Sequence, residues 1–182
     1  MGVIRFPKPV CLVCAICFKD QVLLPKVLER ICEQFGESSS VSELLMFHHT
    51  EYYQEEMGSP LYKIYVSFKN TIDPVLLPDV KHFTNDIEAS WADNNSRRVN
   101  LDPGYIEPAK LVLASTKNYS HRIYLAKGIY GDVQLVWRHN RFQFNPWTYP
   151  DYKEDKVVAF FTTVRNVYFL NLKKEEKRER EL

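Results

Sequence analysis

The fold is decided by two stretches that echo each other, FKDQVLLPKVL at residues 18–28 and FKNTIDPVLLPDVKHF at residues 68–83. Each stretch follows an apolar, strand-like run and leads into residues whose apolar side chains recur at helical spacing. Pro25 and Pro78 lie near the expected helix starts, where proline is tolerated. The two stretches therefore predict two strand–helix units of the same kind.

A strand candidate follows each predicted helix, which gives the order β-α-β twice. After the first helix the candidate is 42–49, and after the second it is 97–101 or 110–116. Two such halves form a ferredoxin-like βαββαβ core, in which an antiparallel sheet carries both helices on one face. The sequence therefore predicts an α+β fold.

Residues beyond 117 add further antiparallel strands and a C-terminal helix to this core. Strand-like runs cover 122–130 and 132–138, and a turn at His139-Asn140 leads into a returning strand at 141–144. A helix is predicted from Lys156 to Leu172. We expect a single α+β domain over 1–172, followed by a charged C-terminal tail at 173–182.

Composition narrows the class of protein. The 182 residues are 45% hydrophobic, which is enough to build a core. Lys and Arg number 24 against 23 Asp and Glu, so the net charge of +1 argues against a generic polyanion binder. No run approaches the roughly 18 apolar residues of a transmembrane helix, and no segment has the pattern of a secretory signal. We expect a cytoplasmic protein without a membrane partner.

The four cysteines are Cys11, Cys14, Cys17 and Cys32, and the first three fall in the apolar run VCLVCAICF. On a strand, Cys11 and Cys17 point to one face and Cys14 to the other, so the three thiols cannot converge on one cluster. Free cysteine is among the most readily buried residue types. We therefore expect small buried apolar side chains and predict neither a metal site nor a disulfide.

Polar and charged side chains are concentrated between residues 100 and 130, among strand-like runs. Asp102 begins the sequence Asp-Pro-Gly-Tyr, a strong turn signal because Pro fixes φ and Gly accepts a positive φ. Such a turn would present Asp102 or Tyr105 at the end of the sheet. Asp102 is a candidate catalytic acid or base, and Tyr105 a candidate ligand-binding residue.

A second group of candidates lies in the segment that ends one strand and begins the next. Lys117, Asn118, Arg122 and Lys127 supply donors and positive charges that suit a phosphate or a carboxylate. His121 is a candidate catalytic acid or base, because histidine titrates near neutral pH. A polar hairpin loop with an ordinary surface histidine is the structural alternative.

These residues favour a protein that binds a small anionic ligand, a nucleotide or a phosphorylated metabolite, in a polar pocket formed by residues 100–130. The candidate acid and base residues are also compatible with enzymatic activity in that pocket. One alternative is an RNA-binding module that stacks bases on exposed aromatic side chains of the sheet; the candidates are Tyr62, Tyr65, Tyr124, Tyr130 and Trp137. Another is a scaffold that binds a partner protein through the aromatic loop at 145–152 or the C-terminal helix. No cofactor, reaction or oligomeric state is predicted.

Four stretches resemble a family of bacterial and archaeal proteins catalogued as a domain of unknown function, whose hallmark is Asp-Pro-Gly-Tyr. They are HTEYYQEEMG (49–58), FTNDIE (83–88), NLDPGYIEPAKLVLASTKNYSHRIYLAKGIY (100–130) and PWTYPDY (146–152). The resemblance spans nearly the whole chain and implies no established reaction. Some members carry the label GTP-binding protein, yet this sequence has no G-x4-G-K-[ST] phosphate-binding loop. A nucleotide would have to be held in another way.

Overall fold

The computed structural model describes residues 2–49, 51–94 and 96–181. Within them the elements are, in chain order, β1 (Val10–Phe18), α1 (Leu24–Phe35), β2 (Ser38–Val41), β3 (Leu45–Phe47), α2 (Glu51–Met57), β4 (Leu61–Ile72), α3 (Leu77–Ser90), β5 (Val99–Ile106), β6 (Lys110–Ser115), β7 (Arg122–Ala126), β8 (Ile129–Arg138), β9 (Arg141–Phe144) and α4 (Asp155–Glu181). The strands form one antiparallel sheet in the order β2-β4-β1-β5-β6-β8-β7, with β3 also on β4 and β9 on β8. The predicted α+β class, with additional antiparallel strands and a C-terminal helix, is confirmed.

Helices cover both faces of this sheet. On one face, α1 and α3 pack Val27, Ile31, Val80 and Ile87 against apolar side chains of β1, β4 and β5. On the other face, α4 packs a stripe of Val157, Phe161, Val164 and Tyr168 at helical spacing. The order β2-β4-β1-β5, with α1 and α3 on the same face, is compatible with the expected ferredoxin-like core.

β1 lies between β4 and β5 and is buried along its whole length. A strand covered on both faces has no need of polar alternation, which explains the continuous apolar run VCLVCAICF. Cys11 faces the α4 side and Cys14 the α1 and α3 side, as expected. Burial raises the pKa of Cys11 to about 11 and that of Cys17 to about 12, so both stay protonated thiols.

The sequence Asp-Pro-Gly-Tyr lies inside β5, so the predicted turn is wrong. Gly104 does not have a positive φ; a side chain there would bring Cβ to 2.3 Å from the carbonyl oxygen of Val112. Glycine is needed because the backbone of β6 approaches closely, not because the chain turns. Pro103, which cannot donate a backbone hydrogen bond, precedes the first β5–β6 pair, Gly104 with Leu113.

Three other predicted boundaries differ from the structure. The strand expected over 122–130 is a hairpin of β7 and β8, because Lys127 and Gly128 take positive φ angles of 52° and 76° and form its turn. The strand expected over 42–49 is limited to β3. The residues expected as a tail continue α4 as far as Glu181, and Leu182 lies outside the described residues.

None of the helices in the described part of the chain combines the length and the apolar composition that a membrane-spanning helix needs.

Candidate functional site

A gap opens between β5 and β6 where their pairing ends. The last β5–β6 pair towards this end is Gly104 with Leu113, whereas β6 stays paired with β8 as far as Ser115 and Tyr130. The gap leads into a cavity of about 360 Å³, the Lys81 cavity. Its lining is largely polar and includes Lys81, Asn85, Glu88, Arg97, Asn100, Asp102, Ser115, Thr116, Lys117 and Asp132, with Leu113 and Ala114 as apolar members.

A second cavity, the Lys63 cavity, has a volume of about 330 Å³ and a more aromatic lining. It is lined by Phe47, His49, Tyr53, Lys63, Asp102, Lys117, Arg122, Tyr149, Pro150 and Asp151. The two cavities share Tyr53, Asp102, Lys117 and Tyr149. They are therefore two halves of one cleft.

Asp102 stands where the two cavities meet. β5 carries it on the same face as Asn100, whose side-chain amide donates to Asp102 Oδ2 at 2.8 Å. Lys81 Nζ lies 3.7 Å from Asp102 Oδ1 and donates to the backbone oxygen of Leu101 at 2.7 Å. With 23% of its side chain exposed, Asp102 is more accessible than Glu88, Asp132 or Asp151, whose exposures are 9%, 1% and 7%. Its carboxylate can accept hydrogen bonds from a bound molecule.

Lys63 and Asp151 line the Lys63 cavity and form a buried triad with Tyr65. Asp151 Oδ2 accepts hydrogen bonds from Lys63 Nζ at 2.7 Å and from the Tyr65 hydroxyl at 2.6 Å. Burial alone would lower the pKa of Lys63, but the nearby charges of Asp151 and Asp102 outweigh it and raise that pKa. Burial would likewise raise the pKa of Asp151, yet Lys63 holds it below its ordinary value. Both groups are therefore charged at neutral pH.

Arg97 brings a half-buried ionic group to the Lys81 cavity. Its Nε and Nη2 donate to the two oxygens of Glu56 at 2.8 and 2.6 Å, and these bonds lower the pKa of Glu56. Its Nη1 lies 3.6 Å from Glu88, which also accepts a hydrogen bond from the backbone N–H of Leu101 at 2.6 Å. Burial raises the pKa of Glu88 above its ordinary value despite the nearby charge of Lys81.

Arg122 forms hydrogen bonds to several residues that line the cleft. Its Nε donates to Asp132 at 2.7 Å, its Nη1 to Ser115 Oγ and the Lys117 backbone oxygen, both at 2.9 Å, and its Nη2 to the Tyr149 hydroxyl at 2.8 Å. The donors of Arg122, which the sequence suggested for a ligand, are thus used largely by protein groups. Arg122 acts on the cleft chiefly by fixing Lys117 and Tyr149.

The two tyrosines that line both cavities, Tyr53 and Tyr149, keep their protons. Burial raises the pKa of Tyr149 to about 12. Burial, reinforced by the charge of Asp102, raises the pKa of Tyr53 still further. With these hydroxyls, the carboxylates and the lysines, the cleft can bind a polar molecule through hydrogen bonds and ion pairs. Within the described residues, no group of three or more His, Cys, Asp or Glu is arranged to hold a metal ion.

Three of the residues predicted from the sequence line the cleft: Asp102, Lys117 and Arg122. The others line neither cavity. His121 is covered by Trp147, with their rings 4.8 Å apart and nearly parallel. The remaining three are Tyr105, which packs beside Leu77 and Val112; Asn118, which is exposed; and Lys127, which forms an ion pair with Asp79 at the β7–β8 turn.

Sequence reasoning missed most of the buried polar residues of the cleft. The signal was present in the stretches that carry the family resemblance, because each sends at least one side chain to the cleft. Tyr53 comes from 49–58, Glu88 from 83–88, Asn100 from 100–130, and Tyr149 with Asp151 from 146–152. Lys63 carried a different signal, a lysine inside the apolar run LYKIYVSF. Only the fold brings these separate stretches together.

Fold and cleft together define an α+β protein with a charged cleft where two central strands part. A family model described as a domain of unknown function (DUF4416) matches residues 8–168. The match covers most of the chain, so the chain belongs to this family, as the resemblance predicted. No curated protein and no solved structure matches it.

Proposed function

We propose that the cleft binds a small anionic ligand, a nucleotide or a phosphorylated metabolite. The observation that carries the proposal is the meeting of two cavities at Asp102, with buried charged side chains around both. Buried ion pairs contribute little to stability and are often replaceable by apolar residues. Their concentration at one cleft favours a binding role over a structural one.

The charges of the Lys63 cavity support an anionic ligand. Three cations line it, Lys63, Lys117 and Arg122, against the two carboxylates Asp102 and Asp151. Phe47, Tyr53 and Tyr149 add aromatic surfaces against which a flat group can pack. Lys117 is exposed and lines both cavities, so its ammonium group can bind a phosphate in either half of the cleft.

The Lys81 cavity favours a neutral, hydroxyl-bearing part of the same ligand. Its lining contributes as many carboxylates as cations, namely Glu88, Asp102 and Asp132 against Lys81, Arg97 and Lys117, and therefore has no excess of positive charge. An additional ion in the Lys81 cavity would therefore meet no excess of opposite charge. A hydroxyl group, in contrast, can donate a hydrogen bond to Asp102 and accept one from the side-chain amide of Asn85 or Asn100. If the ligand reacts, Asp102 is the better placed of the two predicted acid–base groups, since His121 lines neither cavity.

The RNA-binding alternative has less support, because a base-stacking sheet needs an open face. Tyr65 is buried under α4, and the Arg165 guanidinium lies 4.0 Å from the Trp137 ring. Tyr62 is half-buried on the face that α1 and α3 cover. Of the five aromatic side chains considered, only Tyr124 is exposed, on β7.

A thermal-shift screen of nucleotides, sugar phosphates and divalent metals tests the proposal. A ligand present at about 100 times its dissociation constant should stabilise the native protein by about 2.7 kcal/mol. Lys117→Gln should weaken that ligand about tenfold, because one charge-assisted hydrogen bond is removed. Lys110→Gln, at the other end of β6, is the matched control and should leave affinity unchanged. The proposal fails if no compound shifts the wild-type protein.

A further inference from the structure

His121 has an unusual environment for a histidine next to a strand end. Its side chain is 11% exposed, and its ring lies 4.8 Å from the Trp147 ring at an angle of 10°. Nε2 is buried and makes no hydrogen bond, although Asp132 Oδ2 lies 3.5 Å away. A buried polar atom without a partner is unfavourable. The neutral Nε2–H tautomer would turn this near contact into a hydrogen bond to the carboxylate, and the imidazolium would add an ion pair to it.

Asp132 already has a cationic partner. The same Oδ2 accepts from Arg122 Nε at 2.7 Å, and Oδ1 accepts from the Gln134 side-chain amide at 2.8 Å. The carboxylate is fully buried, so its charge is balanced locally by Arg122. Among the described residues, the charged or titratable groups around His121 are Asp132 on β8, Arg122 at the start of β7 and Tyr119 in the preceding loop, and Tyr149 is bound to Arg122.

We propose that His121 is a positioning residue that makes the cleft sensitive to pH, acting through Asp132 on Arg122. With His121 neutral, Asp132 balances the charge of Arg122. With His121 protonated, Asp132 is shared between two cations, and the positive charge of Arg122 becomes available to an anion in the Lys63 cavity. Histidine changes charge between pH 5 and 8, so the affinity of the cleft for anions should rise as pH falls through that range.

This inference rests on the proposed function, and sulfate is a suitable probe because its charge does not change between pH 6 and 8. At constant ionic strength, wild-type protein should bind sulfate about fivefold or more tightly at pH 6 than at pH 8, since one positive charge is added near the cavity. Binding would be measured by calorimetric titration. His121→Gln, which can still donate to Asp132 but carries no charge, should bind sulfate equally at both pH values.

Two further variants separate His121 from His139 and His49. His139→Asn changes an exposed turn residue with positive φ, where Asn is well tolerated, and should keep the wild-type pH dependence. His49 itself lines the Lys63 cavity and pairs with Glu154. If His49→Gln abolishes the pH dependence and His121→Gln keeps it, the proposal is overturned.

Trp147 gives a readout that needs no ligand. A protonated imidazole stacked on an indole quenches its fluorescence, so acidification should lower the emission of wild-type protein by a step that His121→Gln lacks. By reciprocity, sulfate should move the midpoint of that step to higher pH. This measurement on wild-type protein stands even if the variant folds poorly.

The outcomes distinguish the two proposals. Sulfate that binds with the same affinity at both pH values, or with a pH dependence that His121→Gln retains, overturns the role of His121 and leaves the anion cleft in place. Sulfate that does not bind wild-type protein at either pH overturns the proposed function and the role of His121 with it. A fluorescence step would then report only the proton on His121.

Discussion

The two faces of the sheet bury different chemistry. Towards α1 and α3, β4 contributes Ile64, Val66 and Phe68, all apolar and buried. Towards α4, the alternate residues of the same strand are Lys63, Tyr65 and Ser67, which are also buried. The first face stabilises the fold by removing apolar surface from water. The second also buries the charge of Lys63 and the hydroxyl groups of Tyr65 and Ser67, and Lys63 lines the cleft.

Asp151→Ala, on the side of the sheet towards α4, should lower the free energy of unfolding more than any other single substitution proposed here. It leaves the ammonium of Lys63 and the hydroxyl of Tyr65 buried without their acceptor. Breaking one partner of a buried ion pair costs about 3–5 kcal/mol. The free energy of unfolding, measured by denaturant titration, should fall by that amount.

A triple variant shows whether the polar triad serves the fold. Lys63→Met, Tyr65→Phe and Asp151→Leu together replace three buried polar side chains by apolar ones of similar size. Such replacements are often neutral or stabilising, so we expect the free energy of unfolding to equal or exceed that of the wild type, while ligand binding is lost. A triple variant as unstable as Asp151→Ala would make the triad a structural element and remove the contrast between the two faces.

Ile16→Ala tests the apolar face. Ile16 is fully buried in the cluster under α1 and α3, and truncation there should cost about 3 kcal/mol through lost burial and the cavity left behind. The matched control is Ile123→Ala on β7, where 71% of the residue is exposed and the change should stay within about 0.5 kcal/mol. Equal costs at the two positions would contradict this account of the core.

Gly104→Ala should destabilise the protein by about 1–3 kcal/mol, because its Cβ would meet the backbone of β6. Gly131→Ala is a control in the same sheet, since a Cβ there would be 3.4–3.5 Å from the nearest side chains, an ordinary contact. Thermal unfolding of both variants would measure the difference. If Gly104→Ala were as stable as Gly131→Ala, the close approach of β5 and β6 would not be the reason for glycine at this position.

The sequence could predict the apolar part of this structure better than the cleft. β1 and the helices α1 and α3 follow from local patterns, and Val10–Phe18 was predicted to the residue. The turn predicted at Asp-Pro-Gly-Tyr was wrong, because residues that form a turn also fit a strand that a neighbouring backbone approaches closely. The cleft depends on Tyr53, Lys63, Lys81, Arg97 and Asp151, which come from separate elements and converge only in three dimensions.

Glu88→Gln should reveal a smaller, pH-dependent effect of a buried carboxylate that α3 contributes to the Lys81 cavity. Burial raises the pKa of Glu88 in the folded state above its ordinary value of 4.5. A raised pKa contributes stability that is present below the unfolded value and is lost as pH rises through the folded one. Wild-type protein should therefore lose stability relative to Glu88→Gln as pH rises from about 4.5 towards neutrality. Denaturant titrations of both proteins at pH 4, 5, 6 and 7 measure this difference. Glu33→Gln, at an exposed position, is the control. A difference that does not change with pH would mean that the charge of Glu88 does not destabilise the folded protein.

Lys127→Ala should have the smallest effect, and it sharpens the contrast between buried and exposed charge. Lys127 pairs with Asp79 at the β7–β8 turn, but the two side chains are 58% and 52% exposed. Water screens such a pair, so removing it should change the free energy of unfolding by no more than about 0.5 kcal/mol. Because Lys127 lines neither cavity, sulfate affinity should stay that of the wild type, whereas Lys117→Gln lowers it. A fall in sulfate affinity as large as that caused by Lys117→Gln would extend the binding surface to the β7–β8 turn. The exposed lysines would then contribute more to anion binding than the buried groups of the cleft.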